Sequence, residues 1–238
     1  MSDPGIKTHA VGDEAEAARL AAGRLEELIA EAISLRGAAH VALAGGATPR
    51  AAYELLAQRL GEHEFVELWF GDERAVGPDD SDSNYRMVRE AFSEAALPEE
   101  RIHRIEGELG AEEAAESYSA LLTDRLPAGE GGPPVLDVAL LGVGEDGHTA
   151  SLFPGDAVLD ADGVCAAVHD APKPPPDRVT LTVPVLREAR RILFLVTGAD
   201  KAEAVATLLK GEDDEQPATM VAGPQTELIA DSEALSAG

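Results

Sequence analysis

Residues 140–155 read LLGVGEDGHTASLFPG: an apolar run breaks into glycines and acids, among them Asp146, and two residues after Asp146 comes a histidine, His148. An imidazole can take and return a proton near neutral pH, and a nearby carboxylate holds it in one tautomer. A lone histidine is more often structural than catalytic. Here its place past an apolar run, in a loop that glycines keep open, makes His148 the candidate acid–base group and Asp146 the carboxylate that orients it. The other histidines, His9, His40, His63, His103 and His169, are scattered with no i, i+4 pair, so no HExxH zinc signature is present. A single cysteine, Cys165, excludes an internal disulfide and a Cys-rich metal cluster. The chain has no GxSxG nucleophile elbow, and Ser151 lies too close to His148 in sequence for a Ser-His-Asp arrangement. Water, activated directly, is the expected nucleophile.

Other segments have the chemistry of anion binding. In GGATP (45–49), Gly45 and Gly46 let backbone N–H groups turn inward, Ala47 leaves the loop small, Thr48 offers a hydroxyl, and Pro49 suits the first turn of a helix whose positive end faces the loop. The segment is neither a Walker loop, which needs Gly-Lys-Ser/Thr, nor GxGxxG, so it gives little support to ATP or NAD. Lys201 in TGADK (197–201) opens a helix, where a lysine opposes the dipole unless an anion sits beside it. Arg74 in GDER (71–74), with Lys173 and Arg178 in APKPPPDR (171–178), adds cations. The structural use of Arg74 would be a salt bridge to Asp72 or Glu73, and that of Arg178 a strand-end ion pair. The proline run is stiff enough to form one wall of a site.

These segments need a frame that brings them together. Leu20, Leu25, Leu28, Ile29 and Ile33 fall close to helical spacing over 13–36, and further helical patterns follow Pro49 and cover 83–95, 112–125 and 202–209. Between them lie apolar strand candidates at 40–44, 66–70, 136–141, 178–183, 191–196 and 226–230. Strands interleaved with helices predict an α/β fold, a mostly parallel doubly wound sheet with helices on both faces. In such sheets ligands bind at the carboxyl ends of the strands, where GGATP, GDER, the His148 loop and TGADK would all open on one edge.

The 238 residues suffice for one large domain, 1–238, and no linker divides them; LPAGEGGPP (126–134) reads as a surface loop. No apolar window reaches membrane-span length and the N-terminus lacks a signal-peptide pattern, so a cytoplasmic protein with no membrane partner is expected. The net charge of −26 argues against a nucleic-acid partner. Only four of the 19 basic residues are lysines, and an anionic ligand approaching so acidic a surface would need a local basic pocket.

In that order, across residues 17–234, the segments LAGGATP, GDERAVGPDDSDSNY, LGVGEDGHTASLFPG, APKPPPDRVTLT and GADKAEAV resemble the 6-phosphogluconolactonases, members of the glucosamine-6-phosphate isomerase/deaminase superfamily. The resemblance implies a NagB/RpiA-like fold and hydrolysis of 6-phospho-D-glucono-1,5-lactone in the oxidative pentose phosphate pathway. It implies no metal or organic cofactor and a sugar-phosphate lactone as the small-molecule partner; the sequence leaves the assembly open between a monomer and a small homo-oligomer. His148 matches the family's general base, and Arg74, Lys173 and Arg178 match basic residues that hold phosphate or stabilise the oxyanion. The first motif departs from the family's usual SGGSTP, with Ala44 and Ala47 in place of serines; the backbone cradle survives this change and side-chain hydroxyl contacts do not. A glucosamine-6-phosphate deaminase would share the phosphate loop and DGH, but SLFP after the histidine, DSNY after DER, and KPPPDR favour the lactonase. A sugar-phosphate sensor domain would be expected to carry a helix-turn-helix or basic segment, and none is seen.

Overall fold

The structure, a computed structural model, describes residues 5–60, 65–93, 95, 97–128, 132–211, 213 and 215–237. His63 and residues 129–131 of the Gly/Pro-rich stretch lie outside them.

The strand and helix patterns fold largely as the spacing predicts. Asp13 accepts from the Glu16 N–H and so caps α1 (Glu14–Arg36), with acids in the first turn and Arg36 in the last. Its buried face is built from Ala17, Ala18, Ala21, Ala22, Leu25, Leu28, Ile29 and Ala32. Leu20, expected in the apolar stripe, is 36% exposed, because two residues beyond Ala18 the helix presents its opposite side. Alanines let α1 lie close against the sheet and against α2 (Ala47–Ala57).

Six strands, β1 (Lys7–Val11), β2 (Ala39–Leu43), β3 (Val66–Phe70), β5 (Val138–Leu141), β8 (Ile192–Val196) and β9 (Thr226–Asp231), form an all-parallel sheet of order β1-β9-β8-β5-β2-β3 with helices on its faces. β5 and β8 are apolar and buried at every position, as a sheet covered on both faces requires. β1 escapes the sequence pattern because it is a short, largely exposed edge strand, KTHAV. The parallel register of β2, β3, β5 and β8 puts their carboxyl ends, and the four polar loops, on one edge.

One strand assignment is corrected. The run at 178–183 does not join the main sheet; its strand β7 (Arg178–Leu181) sits in a second, antiparallel sheet between β4 (Asp72–Arg74) and β6 (Cys165–Val168). Alternating residues specify a strand but not its neighbour, and β4, read from sequence as loop, is too short to show a period. The remaining helices are α3 (Asn84–Ala91), α4 (Ala111–Arg125), α5 (Val183–Arg187), α6 (Ala202–Lys210) and α7 (Pro217–Val221).

Candidate active site

The polar loops converge on a cleft of about 420 Å³. Gly45 and Gly46 reach it from the end of β2, Arg74 from β4, His148 from the loop after β5, Lys173 and Arg178 from the proline-rich segment and β7, and Lys201 from the turn after β8.

Past β5 the chain turns at once: the Gly147 N–H donates to the Gly144 carbonyl and the Gly144 N–H to the His148 carbonyl, while Thr149 Oγ1 donates to the Gly142 carbonyl. Asp146 Oδ1 accepts from the His148 backbone N–H at 3.1 Å and lies 2.5 Å from His148 Nδ1. An ionised carboxylate can only accept, so Nδ1 carries a proton, and in the neutral imidazole Nε2 is then the acceptor. Burial opposes ionisation of Asp146, but the hydrogen bonds from the His148 side chain and backbone outweigh it and hold the carboxyl below the ordinary aspartate range. Gly144 makes this pair possible, since a Cβ there would lie 2.0 Å from His148 Nδ1 and 2.6 Å from Asp146 Oδ1.

Arg74 and Arg178 stand on adjacent strands of the small sheet. Neither acid next to Arg74 bonds its guanidinium. Asp72 accepts from Ser151 Oγ at 2.6 Å and Asn84 Nδ2 at 3.3 Å, and Glu73 accepts from the backbone N–H groups of Arg74, Asn84 and Tyr85 and from Ser83 Oγ, anchoring the start of α3. Arg74 Nη1 donates to the Asp82 carbonyl, and its Nε is buried without a partner. Arg178, 5% exposed, spends Nε on the Pro175 carbonyl and Nη2 on the Lys173 carbonyl, which fixes the proline-rich wall in place of the expected ion pair. Burial, and after it the charge of Arg74, lowers the Arg178 pKa.

Gly46, at φ 111, caps α2 in a conformation that favours glycine, and α2 has no capping side chain and no acid in its first turn. Nothing within that turn offsets its positive end, and the carboxylate that comes near it is Glu14 of α1, held on the Thr48 hydroxyl. Ala47 and Thr48 lie in that first turn but not in the cleft lining. The Thr48 hydroxyl, expected to face an anion, instead donates to Glu14 at 2.9 Å and meets Thr197 Oγ1 at 3.0 Å, tying α2 to α1 and to the loop after β8. Lys201 closes the turn Ala199–Lys201 at the head of α6 and pairs with Asp200 at 2.8 Å; Lys173 pairs with Glu145 of the histidine loop at 3.1 Å.

Asp72 and Asn84 also line the cleft, although the sequence suggested for Asp72 only the part of a salt-bridge partner. In the strand Asp72–Arg74, residues two apart share a face, so Asp72 accompanies Arg74, but a three-residue strand read as loop carries no such signal in the sequence. Among the described residues no group of three His, Cys, Asp or Glu side chains converges as a metal site, and no helix is long and apolar enough to cross a membrane.

Comparison with known proteins agrees with the motif order. The chain is 38% identical to the 6-phosphogluconolactonase of Synechocystis sp. over 84% of each chain. It is 37% identical to that of Streptomyces coelicolor, over 99% of this chain and 95% of the relative. The solved 6-phosphogluconolactonase of Trypanosoma brucei superposes with a TM-score of 0.88 at 30% identity, covering 97% of this chain and 98% of its own. Residues 12–230 match the family profile described as glucosamine-6-phosphate isomerases/6-phosphogluconolactonase. With that match spanning nearly the whole sheet and every loop of the cleft, the chain belongs to the glucosamine-6-phosphate isomerase/6-phosphogluconolactonase family.

Proposed function

We propose that this chain hydrolyses 6-phospho-D-glucono-1,5-lactone to 6-phospho-D-gluconate. The observation that carries the reading is the His148–Asp146 pair at 2.5 Å, with His148 on a cleft that also gathers Arg74, Lys173, Arg178 and Lys201 in a chain of net charge −26. The related proteins supply the substrate by likeness.

His148 Nε2 takes a proton from water as the water oxygen bonds to the lactone carbonyl carbon, and the carbonyl electron pair moves onto its oxygen. A guanidinium facing that oxygen lowers the barrier because it meets charge that exists only in the transition state. Collapse re-forms the carbonyl and breaks the bond to the ring oxygen, which takes the proton back from the imidazolium and leaves as a hydroxyl. Asp146 stabilises the imidazolium between the two transfers. The amides at the head of α2, with Lys201 and Lys173, hold the non-reacting phosphate; Asp200 and Glu145 occupy these lysines until it arrives. No metal or organic cofactor has a part in this scheme. A cytoplasmic location without nucleic-acid partners belongs to the same reading, in keeping with the acidic surface.

The test is a coupled assay of lactone hydrolysis with the spontaneous opening subtracted. A catalysed rate is expected, and a rate equal to the background overturns the proposal.

A further inference from the structure

Phe153 lies five residues past His148 and is 4% exposed, packed into the hydrophobic core. Its ring centroid is 4.8 Å from that of the His148 imidazole, with the planes inclined at 42°. The Arg178 guanidinium carbon is 5.7 Å from the same phenyl centroid. One buried ring thus adjoins both the imidazole, on the loop after β5, and a cleft guanidinium, at the start of β7.

We propose that Phe153 is a positioning residue for the hydrolysis, its ring setting the plane of the His148 imidazole and the spacing between His148 and Arg178. The inference rests on the reading of His148 as the base. The hydrogen bond to Asp146 fixes Nδ1 but leaves the ring free to swing about that contact, which would carry Nε2 away from the attacking water. A second contact on the ring removes that freedom. Phe153 is suited to supply it because the core anchors it independently of the glycine-rich loop. Its π system also attracts the Arg178 guanidinium and the imidazolium that forms as His148 takes a proton, so the same ring accommodates two cations. An aliphatic side chain of similar volume would fill the space without either directional contact.

Phe153→Leu is expected to lower kcat about tenfold with KM changed less than about twofold, and Phe153→Tyr to keep kcat within about threefold of the unsubstituted protein. Phe153→Met, whose flexible side chain fills irregular gaps, is the second non-aromatic variant should the leucine protein fail to fold, and the same outcomes decide. Full kcat in a folded non-aromatic variant overturns the inference, as does a loss confined to KM or one that Phe153→Tyr shares. A second readout needs no turnover: the downfield proton NMR signal of His148 Nδ1–H is expected to be sharp in the unsubstituted protein and Phe153→Tyr and broadened in the non-aromatic variants. An unchanged signal in those variants overturns the positioning role. Absence of lactonase activity in the unsubstituted protein would instead count against the proposed function, leaving the NMR comparison to decide on Phe153.

Discussion

Arg74 and Arg178 are cross-strand partners: in the antiparallel register of β4 and β7 each stands directly opposite the other. Like charges so placed repel, burial and the neighbouring charge lower the Arg178 pKa, and Arg74 Nε is buried without a partner. An anion near both would relieve the repulsion. Arg74→Ala should therefore cost the folded protein less than about 1 kcal/mol, because it removes a repulsion along with the bond to Asp82. The same change should lower kcat/KM for the lactone by about 10²-fold. Thermal melts and steady-state kinetics on one preparation check both; a large fall in Tm with intact kinetics would make Arg74 structural.

His148→Asn should lower kcat by roughly 10²- to 10⁴-fold while the product still binds. Lys201→Ala should mainly raise KM, since a grip on the non-reacting phosphate contributes equally to ground and transition states. Kinetics of the two variants beside calorimetric binding of 6-phosphogluconate separate chemistry from anchoring. Equal, small effects in both would remove the division of roles.

Gly144→Ala should leave the protein folded but reduce kcat by at least about 10²-fold, because the added methyl occupies the place of His148 Nδ1 and forces the His148–Asp146 pair apart. Circular dichroism and the lactone assay test this together. Full activity would show that the loop re-forms around the methyl with the base in place.

Far from the cleft, Glu227 on β9 accepts from Arg24 Nε and Nη2 and from His9. Burial would raise its pKa; the hydrogen bonds from Arg24 and His9, helped by the charges of Arg24 and Lys7, overcome that and hold it at about 2. A folded-state pKa below the unfolded one means stability that is present above the unfolded value, about 4.3, and is lost as pH falls through the folded one. Glu227→Gln should be less stable at pH 7 by on the order of 1–2 kcal/mol, discounted for the exposure of Arg24, with the gap closing as pH falls and absent below about pH 2. Urea unfolding at a series of pH values measures this; a gap independent of pH would sink the assignment.

The α/β alternation, the limits of β3 and the edge on which the cleft opens were legible in the amino-acid sequence because each is written in contiguous residues: VELWF, a capped α1, glycines after an apolar run. His148 and Asp146 were legible for the same reason, being two residues apart in one loop. Tertiary structure alone decided what depends on residues distant in the chain. It paired β4 with β7 and so set Arg74 against Arg178, and it turned the Thr48 hydroxyl to Glu14 and Thr197. It also brought the ring of Phe153 against both His148 and Arg178. Periodicity tells a residue which face it occupies, whereas what stands opposite that face is settled by how separate elements pack, and that is where the electrostatics of this cleft arise.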